Sequence, residues 1–585
     1  MKLYKEYKKI IETIHKKDKI KKAYFTTFNI SPEFVERYII PPLYQKEIPT
    51  TELHYEDINK AIESSKLDLR FFYDANMLQF DESKRTIAHF HPVSLQNGVF
   101  HPKVIYLEGE NTFYLFVGSG NLTLNGWGRN IEAFRVVEFN KNDNLYNEVG
   151  NFFVDVFRVA KMKDTASGKK KTVISTRNFV YGFDKKSNFI EHLNLGRYLQ
   201  VWSPYFSDLD ELLAKDQFGS LEEIRIIPDL KSGLKSRLDK KPEDSRISFY
   251  REKESGEPVN RFNHSKVWLS DTKIAIGSYN MTQQAIDGVN FEAALVEDIG
   301  KNSDFFRLDG EPFEVEICEE NEAELDEDAL HDERYRGFYT LEANWKTRTL
   351  TIEELVSSDN KHKIVVLPGG VQVEVKELAK LDTIQTTAVF RALSRNKIFT
   401  ILGANEKVLF RGVIQEKECK GYRDTLKAES LEDIFDFFAD DSKPENLERK
   451  LEERMLHQSI ESGNSYEGQV ESPFQKNYFT MFKGFKSLHE ELQTIKSNDK
   501  KKLHQFCFSS TVSLNTIMYI LEQAKEQQEK SLFLYLCIEE LNMLIAQANK
   551  LLKDYKDFPE LQEMKNIDLQ LTKEDKNFLK AYQNV

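Results

Sequence analysis

The chain has 585 residues, 40% hydrophobic and 30% charged, enough apolar surface for several cores and too much for a disordered polymer. Its formal net charge of −13 is unevenly placed: Glu319 to Glu333 holds nine Asp/Glu and no Lys/Arg, whereas residues 1–170 hold 25 Lys/Arg against 22 Asp/Glu. The acidity is local and does not exclude a polyanionic ligand for the N-terminal third. In chain order, Lys22-Ala-Tyr-Phe-Thr-Thr-Phe28 reads as a strand, and Ser31-Pro32-Glu33 as a helix start with Ser31 as N-cap and Pro32 at the first helical position. His89 and His91 are expected in a loop or at a substrate rim.

His101-Pro-Lys103-Val-Ile-Tyr-Leu107 alternates with period two, which puts His101 and Lys103 on one face of a strand. Phe113 to Val117 is a second strand, running into Gly118-Ser119-Gly-Asn121, and Asn130-Ile-Glu132-Ala133 follows. A basic stretch from Lys161 to Arg177 leads to a strand near Tyr198–Phe206, a helical DLDELLAK and the strand Ile224–Ile227. The earlier pattern then returns: His264-Ser-Lys266-Val-Trp-Leu269, Lys273 to Ile276, Gly277-Ser278-Tyr-Asn280, and Asn290-Phe-Glu292-Ala293. His to Ser spans 18 residues in one copy and 14 in the other, Ser to Asn two in both, and Asn to Glu 11 and 12. This is a duplicated unit. Strand–helix–strand order ahead of each copy predicts two α/β halves.

Tyr335 to about Ile414 is strand-rich, with a hairpin turn at Pro368-Gly369-Gly370, and predicts a sandwich-like β domain. From Leu431 onward helical patterns dominate, and Thr572-x-x-Asp575 has the form of a capping box. The expected domains are 1–165 and 166–310 as the two halves, 311–334 as an acidic linker, 335–420 as a β-rich accessory domain and 421–585 as a helical C-terminal domain. No apolar run approaches the ~18 residues of a membrane span. The segment 1–22 lacks the apolar block of a signal peptide, and Cys318, Cys419, Cys507 and Cys537 form neither a CxxC pair nor a disulfide framework. A soluble protein of the reducing cytoplasm is expected, with no cofactor, no metal and no membrane partner.

Two histidines, two lysines and two Ser/Asn sets suit displacement at a phosphodiester. One imidazole attacks phosphorus and the other protonates the leaving oxygen, then activates water. Lys103 and Lys266, with Ser119, Asn121, Ser278 and Asn280, would neutralise the non-bridging oxygens, the task metal ions perform in other nucleases. Glu132 and Glu292 are placed to hold an imidazole's second N–H. Trp127, Trp202 and Trp268 read as core.

At these residues the chain resembles the phospholipase D superfamily, whose HxK…GSxN signature both copies match over residues 20–300. His264, Lys266 and Asp271 fit its longer H-x-K-x4-D form, while the first copy carries Glu108 in place of that Asp and the Asp271–Gly277 interval is one residue short. His101-Pro-Lys103, Ser119-Gly-Asn121-Leu and Trp127 are more specifically similar to the nuclease and tyrosyl-DNA phosphodiesterase-like branch. The resemblance implies two α/β/α halves about a pseudo-two-fold with the site between them, His101 as nucleophile and His264 as general acid/base. The near symmetry of the copies leaves that order open to sequence reasoning. The implied activity is a metal-independent phosphodiesterase or nuclease acting on nucleic acid, DNA ahead of RNA, of a bacterial defence or restriction type. A helicase or ATPase is the expected partner of the C-terminal domains. A repair enzyme removing adducts from DNA ends, and a cytosolic phospholipase D acting on lipid, are the alternatives.

Overall fold

The computed structural model describes residues 2–46, 52–78, 84–161, 177–229, 240–251, 262–300, 311–317, 338–356, 363–375, 396–403, 407–423, 478–495, 499–509, 512–526, 531–555 and 557–569, with scattered positions between them. The basic stretch between Lys161 and Arg177, the acidic Glu319–Glu333 segment and the helical patterns of 431–470 fall outside the described residues, apart from Lys161 and Arg177 themselves. The chain forms two compact units, Met1–Gln45 with Ile62–Arg423, and Lys46–Ala61 with Asp424–Val585.

The first unit contains three large sheets. One comprises β1 (Lys22–Thr27), β2 (Asp68–Asp74), β3 (His89–Val93), β4 (Val104–Glu108), β5 (Phe113–Gly118) and β6 (Phe134–Phe139), in the order β3-β2-β1-β4-β5-β6. The next comprises β7 (Arg177–Gly182), β8 (Tyr198–Ser203), β9 (Glu223–Pro228), β11 (Ile247–Phe249), β12 (Val267–Ser270), β13 (Lys273–Gly277) and β14 (Glu292–Asp298), in the order β11-β9-β8-β12-β13-β14-β7. The short β10 (Lys235–Ser236) and β15 (Glu316–Ile317) pair separately. The two large sheets repeat one topology. In each, three parallel strands lead to three antiparallel ones: β3-β2-β1 then β4-β5-β6, and β11-β9-β8 then β12-β13-β14. The parallel strands are largely buried although polar residues interrupt their apolar runs; Ala23, Phe25, Phe71, Phe72 and Phe90 are fully covered in the first sheet, as are Leu199, Val201, Ile224 and Ile226 in the second. Ser31 caps the helical turn that begins at Pro32, its Oγ accepting from Phe34 N at 3.1 Å.

The strand-rich region is one mixed sheet rather than a sandwich. Its strands β16 (Phe338–Asn344), β17 (Thr349–Val356), β18 (Lys363–Leu367), β19 (Val371–Val375), β20 (Lys380–Leu381), β21 (Ile398–Leu402) and β22 (Val408–Lys417) lie in the order β19-β18-β21-β22-β16-β17-β20. The difference arises because β16 and β22 pair in parallel and join what strand spacing alone would divide into two layers. The Pro368–Gly370 turn joins β18 to β19 as expected. A buried charge network sits behind this sheet. Glu36 accepts from Arg85 N at 2.8 Å and Thr86 N at 2.6 Å, with the Lys84 ammonium 3.5 Å away. Lys397 lies 3.2 Å from Glu416 and donates to the Arg85 carbonyl at 2.8 Å, and Arg423 lies 3.4 Å from Glu416.

In the second unit, Met481, Phe485, Leu488 and Leu492 recur at three- and four-residue intervals on the helix Tyr478–Thr494, and Leu534, Ile538, Leu541, Ile545 and Ala548 on Leu532–Leu552. These stripes form one core. Ser531 caps the latter helix, its Oγ accepting from Leu534 N at 3.2 Å. The Thr572/Asp575 capping box forms in both directions, Asp575 N to Thr572 Oγ1 at 3.1 Å and Thr572 N to the Asp575 carboxylate at 2.9 Å.

Candidate active site

The histidines sit where each repeated sheet lets go of its own chain. Period two predicts His101 and Lys103 inside a strand, but β4 begins only at Val104 and β12 only at Val267. The freed segments pair across to the other repeat. His101 N donates to the Phe291 carbonyl and His264 N to the Ile131 carbonyl, each at 2.9 Å. Phe291 and Ile131 immediately precede Glu292 and Glu132. Backbone pairing therefore sets each histidine beside the carboxylate of the opposite repeat.

The side chains complete the exchange. His101 Nδ1 lies 2.8 Å from Glu292 Oε2, and His264 Nδ1 lies 2.9 and 3.1 Å from the two oxygens of Glu132. Each carboxylate is held in turn by its own repeat: Ser119 Oγ donates to Glu132 and Ser278 Oγ to Glu292. Asn130 Nδ2 donates to Glu132 at 3.2 Å and Asn290 Nδ2 to Glu292 at 3.4 Å. A carboxylate on Nδ1 fixes the tautomer, leaving Nε2 as the reactive nitrogen, and stabilises the imidazolium when it forms.

The glycine ahead of each serine has a steric cause. A Cβ on Gly118 would lie 2.5 Å from the Ala133 carbonyl oxygen, and one on Gly277 2.2 Å from that of Ala293. Only glycine lets the strands close enough for Ser119 N and Ser278 N to reach those same carbonyls, at 3.0 and 2.9 Å.

Lys103 donates to the His101 carbonyl at 2.9 Å and Lys266 to the His264 carbonyl at 3.1 Å. Each ammonium also faces an aromatic ring, 5.4 Å from the Phe28 centroid and 5.9 Å from that of Tyr205. The same two rings stand edge-on to His101 and His264. Asn121 Oδ1 accepts from Thr27 Oγ1 and Asn29 N, both at 3.3 Å, so its amide donors face the opposite way. Nine of the ten residues singled out from sequence, His101, Lys103, Ser119, Asn121, His264, Lys266, Ser278, Asn280 and Glu292, expose 5% or less, and Glu132 is half-buried with a side chain 7% exposed. So much buried polarity is costly to a fold, and here most of it is hydrogen-bonded within two sets, His101–Glu292–Ser278–Asn290 and His264–Glu132–Ser119–Asn130.

Asn130 and Asn290 are the residues that the motif reading passed over. Each lies two positions before its glutamate, a spacing that by strand period puts both side chains on one face. Glu108 and Asp271 are structural. Glu108 binds Lys22 and the Tyr106 hydroxyl at 2.9 Å each, and Asp271 accepts from Tyr198 N at 3.1 Å. His89 and His91 are not loop residues. They lie on β3, in parallel register with Arg70 and Phe72, where burial lowers both pKa values and favours neutral rings that pack like core side chains. Trp127 packs against Tyr7 and Phe34, and Trp268 donates to the Tyr279 carbonyl at 3.0 Å, so both are core. Trp202 is half-buried.

Among the described residues no helix is long and apolar enough to cross a membrane. No protein-family model matches the chain, and no curated protein does. Solved structures are similar at low identity. Polyphosphate kinase from Porphyromonas gingivalis aligns at 11% identity and TM-score 0.31 over 49% of this chain, which spans only 42% of that enzyme. Yeast tyrosyl-DNA phosphodiesterase aligns at 12% identity and TM-score 0.30 over 48% of this chain and 84% of its own, and a substituted form of it at 12% and 0.32 over 50% and 86%. Similarity this distant fixes neither activity nor substrate.

Proposed function

We propose that the chain is a phospholipase D-type phosphodiesterase that cleaves nucleic acid, DNA ahead of RNA, through a phosphohistidine. The observation that carries this reading is the reciprocal clamp, in which His101 is held by Glu292 and His264 by Glu132. A structural histidine needs one partner. Two histidines, each oriented by the other repeat's carboxylate with a lysine anchored at its carbonyl, match the needs of a two-step displacement at phosphorus in which one imidazole is the nucleophile and the other the general acid and base.

In the first step His101 Nε2 attacks phosphorus, the bond to the leaving oxygen breaks, and His264 Nε2–H gives that oxygen its proton. In the second, His264 takes a proton from water, the hydroxide displaces the histidine from phosphorus, and His101 is restored. Glu292 and Glu132 stabilise whichever imidazole is cationic. Lys103 and Lys266 supply the positive charge at the non-bridging oxygens, with Asn121, Asn280 and the serines nearby, so no step calls for a metal ion. The repeated topology is consistent with a pseudo-two-fold between two halves that share one site. The remaining sheet and the C-terminal helices are left to targeting, including docking of a helicase or ATPase in a defence system.

The test uses the full chain on single- and double-stranded DNA, RNA, a 3′-phosphotyrosyl oligonucleotide and phosphatidylcholine vesicles, with and without EDTA. DNA cleavage that survives chelation, is abolished by His101→Ala and by His264→Ala, and yields a trapped phosphohistidine in the parent is the expected result. Cleavage that vanishes in EDTA and returns with Mg²⁺ would overturn the mechanism. Turnover confined to the phosphotyrosyl or lipid substrate would overturn the substrate assignment.

A further inference from the structure

Outside the clamps, the first unit holds another concentration of polar side chains around a cavity of about 220 Å³. Gln96 and Asn97, from the loop ahead of His101, form one wall; Arg158, at the end of the helix Asn144–Val159, forms another; Phe183, Asp184 and Lys185, in the turn after β7, close it.

The turn is unusual. Phe183 and Lys186 exchange backbone hydrogen bonds at 3.0 and 3.1 Å, and the two residues between them are both left-handed, Asp184 at φ 58° and Lys185 at φ 56°. That two-residue geometry favours Asn-Gly. Two side chains with a Cβ hold it here under strain, an arrangement found where a site needs the side chains so displayed.

Arg158 is pre-set as a platform. Its guanidinium covers the Phe183 ring at 5.2 Å, and that ring stacks on Phe291 at 4.4 Å and 11°. Asp155 fixes the guanidinium at 3.2 Å and is itself held by the Tyr181 hydroxyl at 2.9 Å. The Arg158 side chain is nonetheless 60% exposed. A planar cation backed by an aromatic ring, with its outer face open, favours a planar aromatic ligand. The cavity falls below the ~300–1,000 Å³ of pockets that bury larger molecules, which suits a single base.

Resting on the nucleic-acid reading above, we infer that this cavity is a second nucleotide-binding site. The base stacks on Arg158, its edge meets the amides of Gln96 and Asn97 and the carboxylate of Asp184, and its phosphate meets Lys185. The nucleotide belongs either to the bound strand or to a free mononucleotide. The site adjoins the clamps through the chain itself: Phe291, the base of the stack, supplies the carbonyl that receives His101 N at 2.9 Å.

The experiment measures binding rather than turnover. In the full-length His101→Ala protein, the anisotropy of a labelled single-stranded deoxyoligonucleotide is titrated and competed with nucleoside monophosphates and with an abasic sugar phosphate. Arg158→Ala is expected to weaken strand binding by ~5–150-fold, the range for loss of one stacked base, and Arg158→Lys, which keeps the charge and loses the plane, to recover little of it. Lys185→Ala should lower the slope of log affinity against log salt by about one. Competition by monophosphates that Arg158→Ala abolishes identifies a free nucleotide, and its absence identifies the strand. Arg158→Ala or Arg158→Lys proteins that bind like the parent, or an abasic phosphate that competes as well as a nucleotide, would overturn the inference. Cleavage by the parent chain plays no part in this readout, so failure of the phosphodiesterase mechanism is seen separately.

Discussion

The two clamps look equivalent but respond differently to the same substitution, glutamate to glutamine. At Glu292, His101 Nδ1 and Ser278 Oγ both bind Oε2, while Asn290 Nδ2 approaches Oε1 at 3.4 Å. A glutamine there can keep its oxygen toward His101 and turn its NH₂ toward Asn290, losing only a long contact. The histidine then keeps its tautomer and exchanges a charge-assisted hydrogen bond for a neutral one, a loss of ~1–1.5 kcal/mol or about tenfold in rate. At Glu132, His264 Nδ1 lies within 2.9 and 3.1 Å of both oxygens, so neither orientation takes the NH₂ away from the ring. The amide then competes for Nδ1, and the wrong tautomer is worth up to ~10⁴-fold. Glu132→Gln should therefore be at least an order of magnitude more damaging than Glu292→Gln. Single-turnover cleavage of an ordinary DNA phosphodiester reads the difference, with thermal melting to confirm that both proteins fold. A p-nitrophenyl phosphodiester adds a second axis. Its leaving group needs no proton, so the Glu132→Gln defect in the first step should shrink while the Glu292→Gln defect stays. Equal losses, or two folded variants within roughly threefold of the parent, would refute the proposed roles.

Two further outcomes follow from packing and charge. Gly277→Ala puts a Cβ 2.2 Å from the Ala293 carbonyl oxygen; the strands must separate, lowering stability by ~1–3 kcal/mol in chemical denaturation and removing activity by displacing Ser278 and, through it, Glu292. Burial pushes the Lys84 ammonium down to about 8 from its ordinary 10.5, against the pull of Glu36. A depressed pKa means that this group's contribution to stability is full above pH 10.5 and is lost as pH falls through about 8. The unfolding free energy of the parent should rise across that window, and Lys84→Met should flatten the rise.

The parts of the site that the sequence reveals are those repeated at short, matching spacings. His101 and Lys103, or Ser119 and Asn121, lie two apart, as do their counterparts in the second copy, although these pairs stand just outside β4 and β5 rather than within them. Their duplication then separates them from ordinary core polarity. The pairing of the carboxylates is a different matter. That Glu292 serves His101 and Glu132 serves His264 depends on two backbone crossings, His101 N to Phe291 and His264 N to Ile131, which join residues 190 and 133 positions apart in the chain. No local periodicity encodes contacts at such separations. The single mixed sheet escapes sequence reasoning for the same reason, since the parallel register of Leu341 with Ile414 is nonlocal. So does the charge network of Glu36, Lys84, Lys397 and Glu416, whose members read singly as surface residues. His89 and His91 mislead in the opposite direction, because a histidine signals chemistry by type while a buried neutral ring fills space like any aromatic.

The exchange of carboxylates bears on why the two repeats remain in one chain. Had each histidine been oriented by its own repeat's glutamate, either repeat could carry a finished half-site, and the two sheets could separate without changing the chemistry of either imidazole. Here each repeat lacks the group that fixes its own histidine. The Ser119–Glu132–Asn130 set is complete by local contacts, yet its acceptor faces a ring from the other repeat. A shift of the sheets by an ångström or two stretches both clamps beyond hydrogen-bond range together, since 2.8 and 2.9 Å leave little slack. Tautomer, ring direction and sheet docking are thus coupled. On the proposed mechanism, a phosphate that draws Lys103 and Lys266 toward one centre would favour the docked arrangement over any other, and so stabilise the geometry of the proposed first step.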